Sequence, residues 1–99
     1  MVVLKNPVHP GEILKSEFLD ELDLSSGKLA KSINVPRTRI ERLVKQQVGM
    51  TPDTALRLSK LLGTSAEFWL NLQKNYDLAL AKHNQELARD LETILPLAS

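Results

Sequence analysis

Apolar residues recur at spacings of three and four along the whole chain, and no stretch of any length alternates apolar and polar positions as a half-buried strand would. The pattern predicts an all-α protein. Pro10 suits a first helical position and Glu12 follows it, so "HPGEILKSEFLDEL" opens a helix with Leu14, Phe18 and Leu22 on one face. Ser25 can cap a short second helix, "SGKLAKSI", which ends near Asn34, a residue that tolerates the left-handed conformation. Pro36 restarts the chain as a third helix, "PRTRIERLVKQQ". Thr51 ahead of Pro52 caps a fourth, carrying Ala55, Leu56 and Leu62 and stopped by Gly63. Thr64 with Glu67 has the form of a capping box and opens the longest helix, "SAEFWLNLQKNYDLALAK", with Phe68, Leu72, Tyr76, Ala79 and Leu80 as its buried stripe. A last segment, "NQELARDLETIL", repeats the pattern at Leu87, Leu91, Ile94 and Leu95 until Pro96 ends it.

The second and third helices carry a tighter set. Two short helices meeting at a steep angle across a turn of three or four residues need small and apolar side chains where they touch. Leu29, Ala30, Ile33, Val35, Ile40 and Leu43 supply them, with Ala30 at the closest approach. Burying those six turns Arg37, Thr38, Glu41, Arg42 and Lys45 outward.

Charge sharpens this picture. The stretch Ser26 to Gln47 holds six bases, Lys28, Lys31, Arg37, Arg39, Arg42 and Lys45, against the single acid Glu41. Its net of +5 exceeds the +1 of the whole chain, so the remaining residues sum to −4. An outward basic helix with a free N-terminus matches what a DNA major groove admits. Glu41 stands four residues from both Arg37 and Lys45, the spacing of an intrahelical ion pair.

Residues 26–45 resemble the helix-turn-helix of the phage-repressor class, aligned through Ile40 and Leu43. The resemblance implies that Arg37, Thr38 and Arg42 read bases. Arginine can contact guanine in bidentate fashion, and Thr38 can meet a thymine methyl or a phosphate. It also implies that Ser26, Lys28, Arg39 and Lys45 contact the DNA backbone and set register. Two positions depart from the class, with Asn34 at the usual turn glycine and Ser26 at the usual glutamine.

Two further motifs, "HPGEIL" and "AEFWLNLQKNYDL", resemble the HigA antitoxins, or VapI-related group, and the similarity runs from about Val8 to Lys82. The family resemblance implies a five-helix phage-repressor-like helix-turn-helix domain, here residues 1–83 with the helix-turn-helix at about 25–46. Residues 84–99 form an additional C-terminal helical extension. It further implies a homodimer that binds double-stranded operator DNA, represses its own toxin–antitoxin operon, and neutralises a HigB-type toxin that cleaves messenger RNA. A stand-alone transcriptional regulator of the same fold is the alternative.

Apart from the family, "HPGEIL" has a structural explanation in which proline starts a helix, Gly11 permits close packing, and Glu12 satisfies free amides flanked by His9. Phe68 and Trp69 are adjacent and diverge by about 100° on a helix, so one of them is available to a second surface. Trp69 with the stripe Leu87, Leu91 and Ile94 is therefore expected at the dimer interface. HigB-type toxins grip RNA and are typically basic, which makes the acids on and after the first helix a docking surface, with Glu17 and Asp20 as expected contacts.

Other classes find little support. One domain suits 99 residues, and 42% apolar with 25% charged residues is ordinary for a folded chain. Without cysteine there is no disulfide framework or thiolate metal site, and no metal or other cofactor is expected. The apolar runs are too short for a membrane span and the N-terminus lacks a signal-peptide pattern, so a cytoplasmic address is expected. No zinc-protease motif, phosphate loop or nucleophile elbow occurs, so no enzyme is expected.

Overall fold

The computed structural model describes residues 7–98; the expected domain limits at 1 and 99 lie outside the described residues. The described chain is all helical. Helix α1 covers Pro10–Ile13 and runs on into a π-helical segment, Leu14–Leu19. There follow α2 (Ser26–Ser32), α3 (Arg37–Val44), α4 (Pro52–Leu62), α5 (Ala66–Lys82) and α6 (Gln85–Glu92).

Side-chain oxygens cap α2, α4, α5 and α6, at Ser25, Thr51, Ser65 and Asn84, each satisfying an amide in the first turn. The C-terminal stops are equally local. Asp23, Asn34 and Gln46 take positive φ values of 51, 61 and 61°. After each of them an amide reaches back five residues, as Val35 N–H does to the Ala30 carbonyl at 3.0 Å and Gln47 N–H to that of Arg42 at 2.8 Å. Gly63 ends α4 at φ 76°. The left-handed conformation expected at Asn34 thus makes the helix-turn-helix turn without glycine.

Two expected faces and one expected cap shift. The π-helical segment, in which the Asp20 amide donates to the Lys15 carbonyl at 2.9 Å, widens the turn until Leu14 and Leu19 both point inward. Leu22, expected beside Leu14, is therefore 58% exposed. In α4 the buried line is Ala55 and Leu58 with Leu62 beside it, leaving Leu56 outside at 61%. In α5 the cap is Ser65, which accepts from the Phe68 amide at 3.0 Å, in place of the expected Thr64 box. The Thr64 hydroxyl instead accepts the indole N–H of Trp69 at 2.7 Å.

That last shift corrects the expected dimer role of Trp69. Its side chain is 0% exposed, packed within its own chain against Phe18 and Phe68 at ring separations of 5.4 and 5.0 Å. Burying the indole removes more apolar area from water than burying a phenyl ring, and the indole N–H has found a partner. Phe68 is the neighbour that faces outward, 40% exposed.

The core gathers Leu29, Ala30, Ile33, Ile40 and Leu43 of the two short helices around Leu14, Leu58 and Trp69, with Val35 packed against it. The molecule measures 52 × 25 × 23 Å because α5, about 25 Å long at 1.5 Å per residue, outruns this core. Leu78 and Leu80 near its end are exposed, and so are Leu87, Leu91 and Ile94 of the segment beyond.

Candidate nucleic-acid interface

Helix α3 buries Ile40 and Leu43 against α2, which fixes the direction of everything else on it. The opposite face is open. Thr38, Glu41, Arg42, Lys45 and Gln47 border one shallow depression there, so two of the expected base readers and one expected backbone contact share a surface. Gln47 joins them because the left-handed Gln46 turns the chain back over the end of α3. Sequence periodicity did not single out Gln47, which lies past the last helical residue.

Arg37, the third expected reader, stands at the head of the same helix. Its Nε pairs with Glu41 Oε2 at 3.5 Å, the expected i,i+4 partner, and the side chain is largely exposed. Its Cδ lies 3.0 Å from where a Cβ on Gly27 would be, so Arg37 lies across the start of α2. Ser26 and Lys28 occupy that start, Ser26 half-buried and Lys28 exposed. Pro36 precedes α3 and gives it no side-chain cap. The first-turn amides of α3 thus add their partial positive charge to the basic side chains.

Arg39 has a partner within the chain. Its Nη1 lies 2.7 Å from Asp53 Oδ1, at the start of α4, and it is only half-exposed. Arg57 Nε reaches the same oxygen at 2.8 Å, and Arg57 Nη1 donates to the Ile33 carbonyl at 2.9 Å. The two guanidinium groups hold the Asp53 carboxyl below the usual carboxylate range, Arg57 contributing most. Arg39 thus links α3 to α4 within the chain, and 40% of its side chain remains exposed.

Behind α3 the two family motifs meet. His9 caps α1 with Nδ1, which accepts from the Gly11 amide at 2.9 Å, the task expected of Glu12. Gly11 lies against the end of α3, where an added Cβ would run into the Leu43 carbonyl, its carbon 2.7 Å away. Gln73 of α5 accepts from the Met50 amide at 2.6 Å and donates to Asp77 at 2.9 Å, tying down the loop that follows α3. No periodic signal pointed to Gln73, a polar side chain on the inner edge of an apolar stripe.

The expected toxin contacts lie elsewhere, Glu17 on the π-helical segment and Asp20 just after it. Glu17 is exposed, and Asp20 pairs with Lys15 at 3.2 Å. Among the described residues no cluster of histidine and acidic side chains could hold a metal ion, and no helix is long and apolar enough to cross a membrane.

No family model matches the chain. Individual proteins do. The virulence-associated protein I of Dichelobacter nodosus is 42% identical over 92 residues, covering 93% of this chain and 82% of that protein. The antitoxin HigA-1 of Vibrio cholerae is 39% identical over 74 residues, 75% of this chain and 70% of its own. Among solved structures, the Pseudomonas aeruginosa antitoxin HigA with the higBA promoter superimposes with a TM-score of 0.86 at 41% identity, covering 93% of this chain and 99% of that one. Identity of this order across nearly the full described length, on a helix-turn-helix with an open basic face, places the chain in the HigA antitoxin family, the VapI-related group of helix-turn-helix regulators.

Proposed function

We propose that this protein is a homodimeric antitoxin that represses its own operon by binding operator DNA and that neutralises a HigB-type toxin. The observation that carries the DNA half is the single open face on which Thr38, Arg42, Lys45 and Gln47 lie together, with the uncapped start of α3 beside Arg37. Arg37, Thr38 and Arg42 would read base edges, while Ser26, Lys28 and Lys45 would hold phosphates. Two copies related by a twofold axis would place their α3 helices about 34 Å apart, one turn of duplex. The extension 84–99 would join the copies. Its exposed Leu87, Leu91 and Ile94 form an apolar stripe of the kind a monomer rarely leaves in water, and Phe68 takes the part expected of Trp69.

For the toxin, Glu17 and Asp20 offer acidic contacts outside α3, with Asp20 bordering the same depression as Lys28. Asp20 is already paired with Lys15, which weakens that acidic field and favours the stand-alone regulator as the second reading. Co-purification from the native cell separates the two. An associated toxin-sized protein, released when Glu17 and Asp20 are both changed to lysine while DNA binding persists, supports the antitoxin. Recovery with operator DNA and no protein partner supports the regulator.

A further inference from the structure

Both helices of the helix-turn-helix are tied to one carboxylate outside it. Asp53 Oδ1, at the start of α4, receives Arg39 of α3 at 2.7 Å and Arg57 of α4 at 2.8 Å. The other end of Arg57 donates to the Ile33 carbonyl, where α2 ends and the turn through Asn34 begins. A chain of three polar links therefore runs from the end of α2, through α4, to the first turn of α3. The apolar packing of Ala30, Ile33, Ile40 and Leu43 sets the distance between α2 and α3 and which face of α3 is buried, but it holds small rotations about the axis of α3 less sharply, because apolar contact has no direction. Hydrogen bonds to charged groups do have direction, and they hold angle as well as separation.

We propose that Asp53 and Arg57 are positioning residues for base reading: they fix the rotation of α3 about its own axis, and with it the reach of Thr38 and Arg42, without themselves touching the operator. The proposal rests on the DNA-binding reading given above. The network lies at the surface, where ion pairs contribute little to global stability, so its effect is expected in recognition rather than in folding. Arg39 is on the inner flank of α3, four residues before Leu43 and one before Ile40, so a pull on it turns the helix as a rigid body.

The test is Asp53→Asn, which keeps the shape and removes the charge, with Arg57→Met as a second variant. Two measurements are made, amide hydrogen exchange on the DNA-free protein and affinity for operator against random duplex. In the free variant, exchange at Val35, whose amide closes the turn, is expected to accelerate at least fivefold while the Trp69 region is unchanged. The operator-to-random affinity ratio is expected to fall at least fivefold, with the same salt dependence as the parent. An unchanged ratio and unchanged exchange would overturn the proposal. Tighter binding to both duplexes with a steeper salt dependence would overturn it too, because Asp53 would then act only by keeping Arg39 from a phosphate. A parent protein that shows no operator preference would count against the DNA reading itself, and the exchange measurement, which uses no DNA, would still judge the clamp.

Discussion

His9 and Tyr76 meet edge to face with ring centroids 4.9 Å apart and planes at 79°, which joins the "HPGEIL" motif of α1 to the "NLQKNYD" motif of α5. The imidazole is 4% exposed and accepts the Gly11 amide through Nδ1, so it is needed in its neutral form. Burial pushes its pKa below 6.5, opposed by the Val48 carbonyl and by Asp77 and Glu12. Between 6.5 and that lower value the unfolded chain binds a proton that the folded chain refuses. The contribution is therefore full above pH 6.5 and is lost as pH falls through that window. Urea unfolding at pH 7 and pH 5 should show lower stability at pH 5, and His9→Asn, which keeps a cap and cannot titrate, should flatten the difference. At pH 7 the same substitution should cost about 1 kcal/mol through loss of the aromatic contact.

Asp53 titrates in a separate window. Its carboxyl is held low by Arg57 and Arg39, so the network it anchors persists through neutral pH and is lost only as pH falls through the folded value, below 3.8. A loss of stability that begins as pH falls below 6.5, well above the range of Asp53, thus belongs to His9. If it survives in the His9→Asn variant, the assignment fails.

Gly11 is a close-approach glycine, and a methyl there would meet backbone rather than a movable side chain. Gly11→Ala should push α1 away from the end of α3 and destabilise by about 1–3 kcal/mol. Thermal unfolding checks this, and an alanine variant as stable as the parent would show that the two helices part without cost.

Much of the architecture is written in local chemistry. Ser25, Thr51, Asn34 and Gly63 do their work within four residues of chain, so the starts of α2 and α4 and the turns at Asn34 and Gly63 were legible from residue type and spacing. The six apolar residues of the helix-turn-helix were legible for the same reason, since their partners lie within one short motif. What could not be read depended on distant partners. The choice of Trp69 over Phe68 rests on Phe18 and Thr64, and the exposure of Leu22 rests on a π-helical turn with no signature in the spacing. Arg39 looked like its neighbours Arg37 and Arg42 because its partner, Asp53, lies fourteen residues away in another helix. Only the i,i+4 spacing of Asp53 and Arg57 hinted that an ion network existed there.

The exposed stripe beyond α5 predicts the oligomeric state. Leu91→Asp, at a position that is already exposed, should leave the fold intact and shift the protein from dimer to monomer in solution. Sedimentation or light scattering reads the mass directly. A variant that stays a tight dimer would place the interface on another face, with Leu56 and Leu61 of α4 as the next exposed apolar pair.

If the outer face of α3 reads DNA sequence, as proposed, Arg42 at its centre should carry that reading most directly. The measurement is the affinity of the parent and of Arg42→Ala for the duplex upstream of the protein's own gene and for random duplex, each at about 50 and 200 mM salt. The parent should prefer its operator and lose affinity by orders of magnitude across that range, through counterion release. Arg42→Ala should lose about 1–3 kcal/mol of discrimination, confined to one base pair of each half-site. A parent whose affinity ignores salt, or a variant whose operator-to-random ratio matches the parent's, would contradict the account.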